Sequence, residues 1–166
     1  MPDLPNEPFP AKPTRSVLFV CLGNICRSPL AEGFLRAALG GVDAHLASAG
    51  TGGWHAGDPP DARAIRAAAD FGVDISAQRA RQVCLEDFRT FDLILGMDRA
   101  NVDDLRKLAP PDATARIALF REDLLGEARD VPDPYYGTPR DFAIVADLCR
   151  RGAAALAARI QAASNG

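Results

Sequence analysis

Histidine is scarce in this chain of 166 residues: His45 and His55 are the only two, and they share no metal-ligating spacing. The four cysteines, Cys21, Cys26, Cys84 and Cys149, contain no C-x2-C pair. A zinc site therefore has no ligand set to draw on, and so few thiols do not make a disulfide scaffold. They read as reduced cysteines. Neither GxxxxGK nor GxGxxG occurs, which removes the usual nucleotide-binding loops. No apolar run exceeds Val17–Leu22 in length, too short for a transmembrane helix. The opening MPDLPNEPFPAKPTR lacks the apolar core of a secretory signal. There is no basic block either: 19 basic and 22 acidic side chains leave a net charge of −3, a poor match to a nucleic-acid backbone or an anionic membrane. The expectation is a cytoplasmic protein that works without metal or cofactor, and without nucleic-acid or membrane partners.

What is present is a regular alternation of strands and helices. Residues 1–14 hold five of the thirteen prolines and read as a disordered tail, leaving 15–166 as one domain. Val17–Cys21 is a short β-branched and aromatic run, as in a buried strand. Ser28-Pro29 predicts a helix start, with Ser28 as N-cap and Pro29 at the first helical position, and Gly40-Gly41 ends that helix. His45–Ala49 predicts a second strand, Pro60–Phe71 a helix, Asp92–Met97 a third strand and 99–108 a helix. Arg116–Phe120 predicts a fourth strand, Arg121–Thr138 a long loop, and 139–163 a last amphipathic helix. Strands this apolar imply an α/β fold: a four-stranded parallel sheet with helices on both faces. Ligands bind such sheets beyond the carboxyl ends of the strands, so the turn after the first strand is the place to look.

That turn reads Cys21-Leu22-Gly23-Asn24-Ile25-Cys26-Arg27-Ser28, a C-x5-R-S string between strand and helix. Gly23 and Asn24 tolerate left-handed backbone angles, so the segment can curl until successive N–H groups face one anion-sized hollow. The following helix aims its positive end at the same hollow. A cysteine at its base would be favoured as thiolate, and Arg27 would add a bidentate fork for phosphate oxygens. The Ser28 hydroxyl can donate to the Cys21 sulfur. The bare C-x5-R string is weak by itself; the following serine and the strand–turn–helix context give it its force. Against it stands a purely structural turn with Cys21 as a small apolar residue.

A thiolate displaces an alkoxide or phenolate from phosphorus only if the departing oxygen is protonated. Val131-Pro132-Asp133-Pro134-Tyr135-Tyr136-Gly137 offers Asp133 as the acid, and it contains both tyrosines of the chain. Those rings, with the single Trp54, could wall a slot for a flat aromatic group. His45 reads as a core or edge residue and His55 as a residue at the slot's rim. Cys84 and Cys149 read as buried small apolar residues, and Arg150-Arg151 as a solvated helix face.

CLGNICRSP near the amino end and DPYYG near the carboxyl end resemble the low molecular weight protein tyrosine phosphatases, in their bacterial form. SAGTGGW (Ser48–Trp54), ARQV (Ala80–Val83) and FDLILGMD (Phe91–Asp98) lie between them in the family's order. The resemblance implies hydrolysis of phosphotyrosine through a phosphocysteine, with Cys21 as nucleophile, Arg27 binding phosphate and Asp133 as general acid. It implies a phosphate loop of Leu22, Gly23, Asn24, Ile25, Cys26 and Ser28, supported by Ser48, Gln78 and Asp98. Trp54, Tyr135 and Tyr136 would line the substrate slot, and Cys26 would be a second thiol able to pair with Cys21. Gln78 stands where many vertebrate members carry histidine; it can donate and accept but cannot titrate. The implied partner is a phosphotyrosine protein, a bacterial tyrosine kinase among the candidates. The rivals are arsenate reduction on the same scaffold, which lacks a resolving cysteine in Leu93–Leu108, protein-arginine phosphatase activity, and a non-catalytic phosphotyrosine-binding module.

Overall fold

Ser16–Cys21 forms the first strand, β1, and every residue in it is buried. The structure, a computed structural model, describes residues 13–164; most of the expected proline-rich tail lies outside them. The other strands are β2 (His45–Gly50), β3 (Leu93–Gly96) and β4 (Arg116–Leu119), and the helices are α1 (Arg27–Leu39), α2 (Ala62–Ala69), α3 (Asp87–Thr90), α4 (Arg99–Leu108), α5 (Phe120–Leu125) and α6 (Pro139–Ser164). All strand pairings are parallel, in the order β2-β1-β3-β4. The chain leaves β1 in one direction to reach β2 and lies on its other side in β3. The carboxyl end of β1 is thus the switch point of the sheet, where loops diverge and leave a crevice.

The period of two along β1 divides the core. Val17, Phe19 and Cys21 face the larger cluster, with Leu30, Phe34 and Leu35 of α1 and Phe142, Val145 and Leu156 of α6. Leu18 and Val20 face the opposite cluster with Phe88, Ile94 and Leu105. Helices therefore cover both faces of the sheet, as the apolar strands require. Each fully buried large apolar side chain contributes about 1.5–3 kcal/mol, so the register of β1, and with it the facing of Cys21, is strongly fixed.

Three expectations about elements are corrected. Phe120 begins α5 rather than ending a strand, and that helix occupies the first part of the expected Arg121–Thr138 loop. The four-residue α3 was not foreseen. Helix α1 starts at Arg27 with Cys26 as N-cap and no side-chain capping bond; Ser28 does not cap it, because its hydroxyl is engaged elsewhere. His45 stacks on Phe91 at 5.0 Å, an edge residue as expected. Cys149 is buried as expected, but Cys84 is exposed.

Candidate active site

Residues 22–26 connect β1 to α1 in a tight curl. Its carbonyls are drawn outward by donors from neighbouring segments. Thr51 N–H donates to Cys21 O and Gly52 N–H to Leu22 O, each at 2.9 Å, while Asp61 N–H donates to Ile25 O at 2.8 Å. Turning the carbonyls out leaves the amides of the curl facing inward, the arrangement of an anion nest. Asn24 makes the bend: its φ of 59° is the only positive value at a non-glycine among the described residues. Gly23, expected to share that role, does not have a positive φ; it lies where a Cβ would come within 3.1 Å of the His55 ring.

The Asn24 side chain fixes the curl from behind. Its Oδ1 accepts from Arg81 N–H at 2.9 Å, and its Nδ2 donates to Ser28 Oγ at 2.8 Å and to Ser48 Oγ at 2.9 Å. Since Ser28 Oγ already accepts from Asn24, its proton is free to point at the Cys21 sulfur, 3.0 Å away. That is the engagement that removes Ser28 from capping duty. Arg81 was not anticipated: a backbone N–H carries no signature in sequence.

Arg27 is almost wholly buried, its side chain 3% exposed. NH1 donates to Asp98 Oδ2 at 2.7 Å and to Val131 O at 3.0 Å, and NH2 lies 3.7 Å from Asp133 Oδ2. Burial works against the charge of this guanidinium; the Cys21 sulfur, Asp98 and Asp133 outweigh it and hold its pKa above the ordinary arginine value. Asp98 has two tasks. Its Oδ1 accepts from Asn101 N–H at 2.8 Å as the N-cap of α4, and Asn101 returns the bond to Asp98 N–H at 3.1 Å.

The cleft above the curl has a volume of about 220 Å³. Cys21, Leu22, Gly23, Ile25, Cys26 and Arg27 form its base, and Trp54, His55, Asp133, Tyr135 and Tyr136 its walls and rim. Tyr135 and Tyr136 meet edge to face at 4.9 Å, and Asp133 Oδ1 accepts from Tyr135 N–H at 3.1 Å. Arg63 of α2 lies over the Tyr135 ring at 5.5 Å while its guanidinium pairs with Asp61 at 2.9 Å. Burial pushes the Cys26 thiol well above its usual pKa, with Asp61 and the Cys21 sulfur adding to the shift.

The expected site residues therefore converge, with one exception. Asn24, Ser28, Ser48 and Asp98 stand behind the loop and the arginine. Gln78 donates to Pro29 O in the first turn of α1 at 3.0 Å, and its Oε1 is buried without a partner. It braces α1 rather than the Asn24 hydroxyl network or Asp98. His55 lies in the cleft, where only its place beside Trp54 hinted at it.

Fold and site together define a class: a parallel α/β protein with a cysteine and an arginine enclosed by an anion-binding loop at the sheet's switch point. Residues 16–165 match the family described as low molecular weight phosphotyrosine protein phosphatase. The chain is 42% identical over 153 residues to the low molecular weight protein-tyrosine-phosphatase YfkJ of Bacillus subtilis, covering 88% of this chain and 96% of that one. It is 40% identical over 149 residues to the human low molecular weight phosphotyrosine protein phosphatase, covering 83% and 90%. The structure of Vibrio vulnificus Wzb in complex with benzylphosphonate superposes with a TM-score of 0.78 at 32% identity, covering 87% and 98%. This chain belongs to the low molecular weight protein tyrosine phosphatase family, whose members are cysteine-dependent phosphoric monoester hydrolases.

Proposed function

We propose that the cleft hydrolyses phosphotyrosine in two steps, with Cys21 as nucleophile and Asp133 as acid and base. The observation that carries this reading is the meeting, in one cleft, of a sulfur, a buried guanidinium, an inward-facing loop and a carboxylate at the mouth. The phosphoryl oxygens take the loop amides and Arg27, which stabilise the charge of the transition state. The Cys21 thiolate attacks phosphorus; the bond to the phenolic oxygen breaks, and Asp133 in its acid form gives that oxygen a proton. Water then attacks the phosphocysteine, its proton passing to the Asp133 carboxylate. The S–P bond breaks and its electron pair returns to sulfur, steadied by the Ser28 hydroxyl.

The aromatic rim supports a flat leaving group over the slender guanidinium of phosphoarginine, and the Vibrio vulnificus relative holds an aromatic phosphonate. Arsenate reduction finds no third thiol in this cleft: Cys84 and Cys149 do not line it. The partner is accordingly a tyrosine-phosphorylated protein in the cytoplasm, and an autophosphorylated tyrosine kinase fits that chemistry.

The test is the leaving group. Phenolate of tyrosine, with a pKa of about 10, needs the proton more than p-nitrophenolate does. Asp133→Ala should lose about 10²–10⁴-fold in kcat on a phosphotyrosine peptide and clearly less on p-nitrophenyl phosphate. Equal losses on both substrates would remove Asp133 from the acid role. Stoichiometric binding of phosphotyrosine by wild type without turnover would instead support a binding module.

A further inference from the structure

Beside the loop that carries Asp133 runs a groove of about 540 Å³, lined by Arg121, Arg129, Arg140 and Arg151 with Pro132 and a single carboxylate, Asp147. It is joined to the Cys21 cleft by a smaller depression. Pro132 and Ile144 line both the groove and the depression, and Asp133 and Tyr136 line both the depression and the cleft. A polypeptide leaving the cleft past Tyr136 crosses this depression, whose wall includes Asp141, and then reaches the arginine groove.

The charges in the groove are not balanced from within. Asp147 is already held by Arg150 at 2.6 Å and Arg151 at 3.2 Å. Arg121, at the floor, is buried; it donates from NH1 to Asp130 O at 3.1 Å and pairs with Glu127 at 3.2 Å, while its Nε has no acceptor. Arg129 and Arg140 are exposed, and among the described residues neither guanidinium makes a hydrogen bond or an ion pair within 4.0 Å, although the charge of Arg140 acts on the neighbouring Asp141 and helps hold its carboxyl below the usual range. Several other arginines sit against carboxylates, as Arg36 does on Glu32, Arg81 on Asp87, Arg89 on Asp112 and Arg116 on Asp123, and Arg66 and Arg106, which like Arg129 and Arg140 make no ion pair among the described residues, lie away from the cleft. In a chain of net charge −3, two unpaired guanidinium forks beside the active cleft form a local positive field. Forks of this kind match carboxylates in paired hydrogen bonds, and Ile144, 46% exposed, adds an apolar patch to the lining of the same groove.

We propose that this groove docks an acidic segment, rich in Asp and Glu, that flanks the phosphotyrosine in the protein substrate. The inference rests on the reading of the Cys21 cleft as a phosphotyrosine site and assigns that site its preferred sequence context. Docking through exposed arginines acts on encounter and retention rather than on the chemical step, so it appears in KM and in salt dependence.

Phosphotyrosine peptides with three Glu residues on the amino or the carboxyl side are compared with Gln-flanked peptides of equal length, using wild type and the double variant Arg129→Glu/Arg140→Glu. For wild type, one of the Glu-flanked peptides should show a KM about 10-fold below its Gln counterpart at equal kcat, and the difference should shrink as salt rises from about 50 to about 500 mM. The double variant should lose that preference while kcat/KM on p-nitrophenyl phosphate stays at the wild-type value. A wild type indifferent to flanking charge, or a variant that keeps the preference, overturns the proposal. Fluorescence anisotropy of labelled, unphosphorylated Glu peptides reads the groove apart from the cleft. One of them should bind wild type about 10-fold more tightly than the variant; equal binding of both overturns the docking site even where turnover is normal. Absence of turnover on every phosphotyrosine peptide, with that anisotropy difference intact, places the failure in the reading of the cleft and not in the groove.

Discussion

Asp98 is the residue whose removal separates scaffold from site most sharply. Its two oxygens have different clients: Oδ1 caps α4 through Asn101 N–H, and Oδ2 holds Arg27 NH1 at 2.7 Å. In Asp98→Ala both are lost. An N-cap is worth about 1 kcal/mol, and at about 2–4 °C per kcal/mol for a chain of this size the melting temperature should fall by at least that much. The bond to Arg27 is a hydrogen bond between charged groups with one partner 3% exposed and the other 21% exposed, in the class worth about 1.5–3 kcal/mol. If that energy positions the guanidinium for the transition state, kcat/KM on a phosphotyrosine peptide should fall about 10- to 150-fold. Asp98→Asn is the sharper instrument, because an amide has a single oxygen for two donors. Whichever donor keeps it, the NH2 group faces the other, so either the cap or the arginine contact survives, never both. Steady-state kinetics and a thermal melt of each variant, with wild type alongside, read the two quantities independently. A variant that melts several degrees lower yet keeps kcat/KM within about twofold of wild type would refute the reasoning and reduce Asp98 to a helix cap.

Two further outcomes follow from the same geometry. A Cβ at Gly50 would come within 2.8 Å of Leu22 O, 2.9 Å of Gly52 O and 3.1 Å of Gly23 C, all backbone; Gly50→Ala should therefore cost about 1–3 kcal/mol in a denaturant melt and lower phosphatase activity by shifting the curl. Cys21 and Cys26 both line the base of the cleft, so under peroxide a sulfenic acid formed on Cys21 is expected to be resolved by Cys26 as a disulfide. Wild type inactivated by peroxide should recover with dithiothreitol and show a Cys21–Cys26 link by mass spectrometry, whereas Cys26→Ser is lost for good; equal recovery of the two proteins would leave Cys26 with a packing role only.

The sheet, its parallel sense and the place of the site were legible in sequence because β1 is a continuous apolar run followed at once by C-x5-R-S. The errors have physical causes. The RIALF run of Arg116–Phe120 reads as one strand, and nothing in its polarity marks that Phe120 turns into α5; short apolar runs do not distinguish the two periods. Ser28 before proline has the form of a helix cap, but a hydroxyl within 3.0 Å of sulfur is already committed. The arginine's second acceptor, Val131 O, and the amide of Arg81 were not legible: they are backbone groups, placed by topology alone. The resemblance puts Gln78 in the loop network through its histidine counterpart in vertebrate members, whereas its side chain reaches the first turn of α1.

Helix α1 begins with no side chain closing its first turn. A helix start normally leaves amides to be satisfied by a capping group or by water, and here the serine suited to that work serves the sulfur instead. On the proposed function, a phosphate seated in the curl takes up those amides in place of a side-chain cap, so its binding adds to the stability of the fold in proportion to its affinity, and the first turn of α1 and the active site share one set of donors.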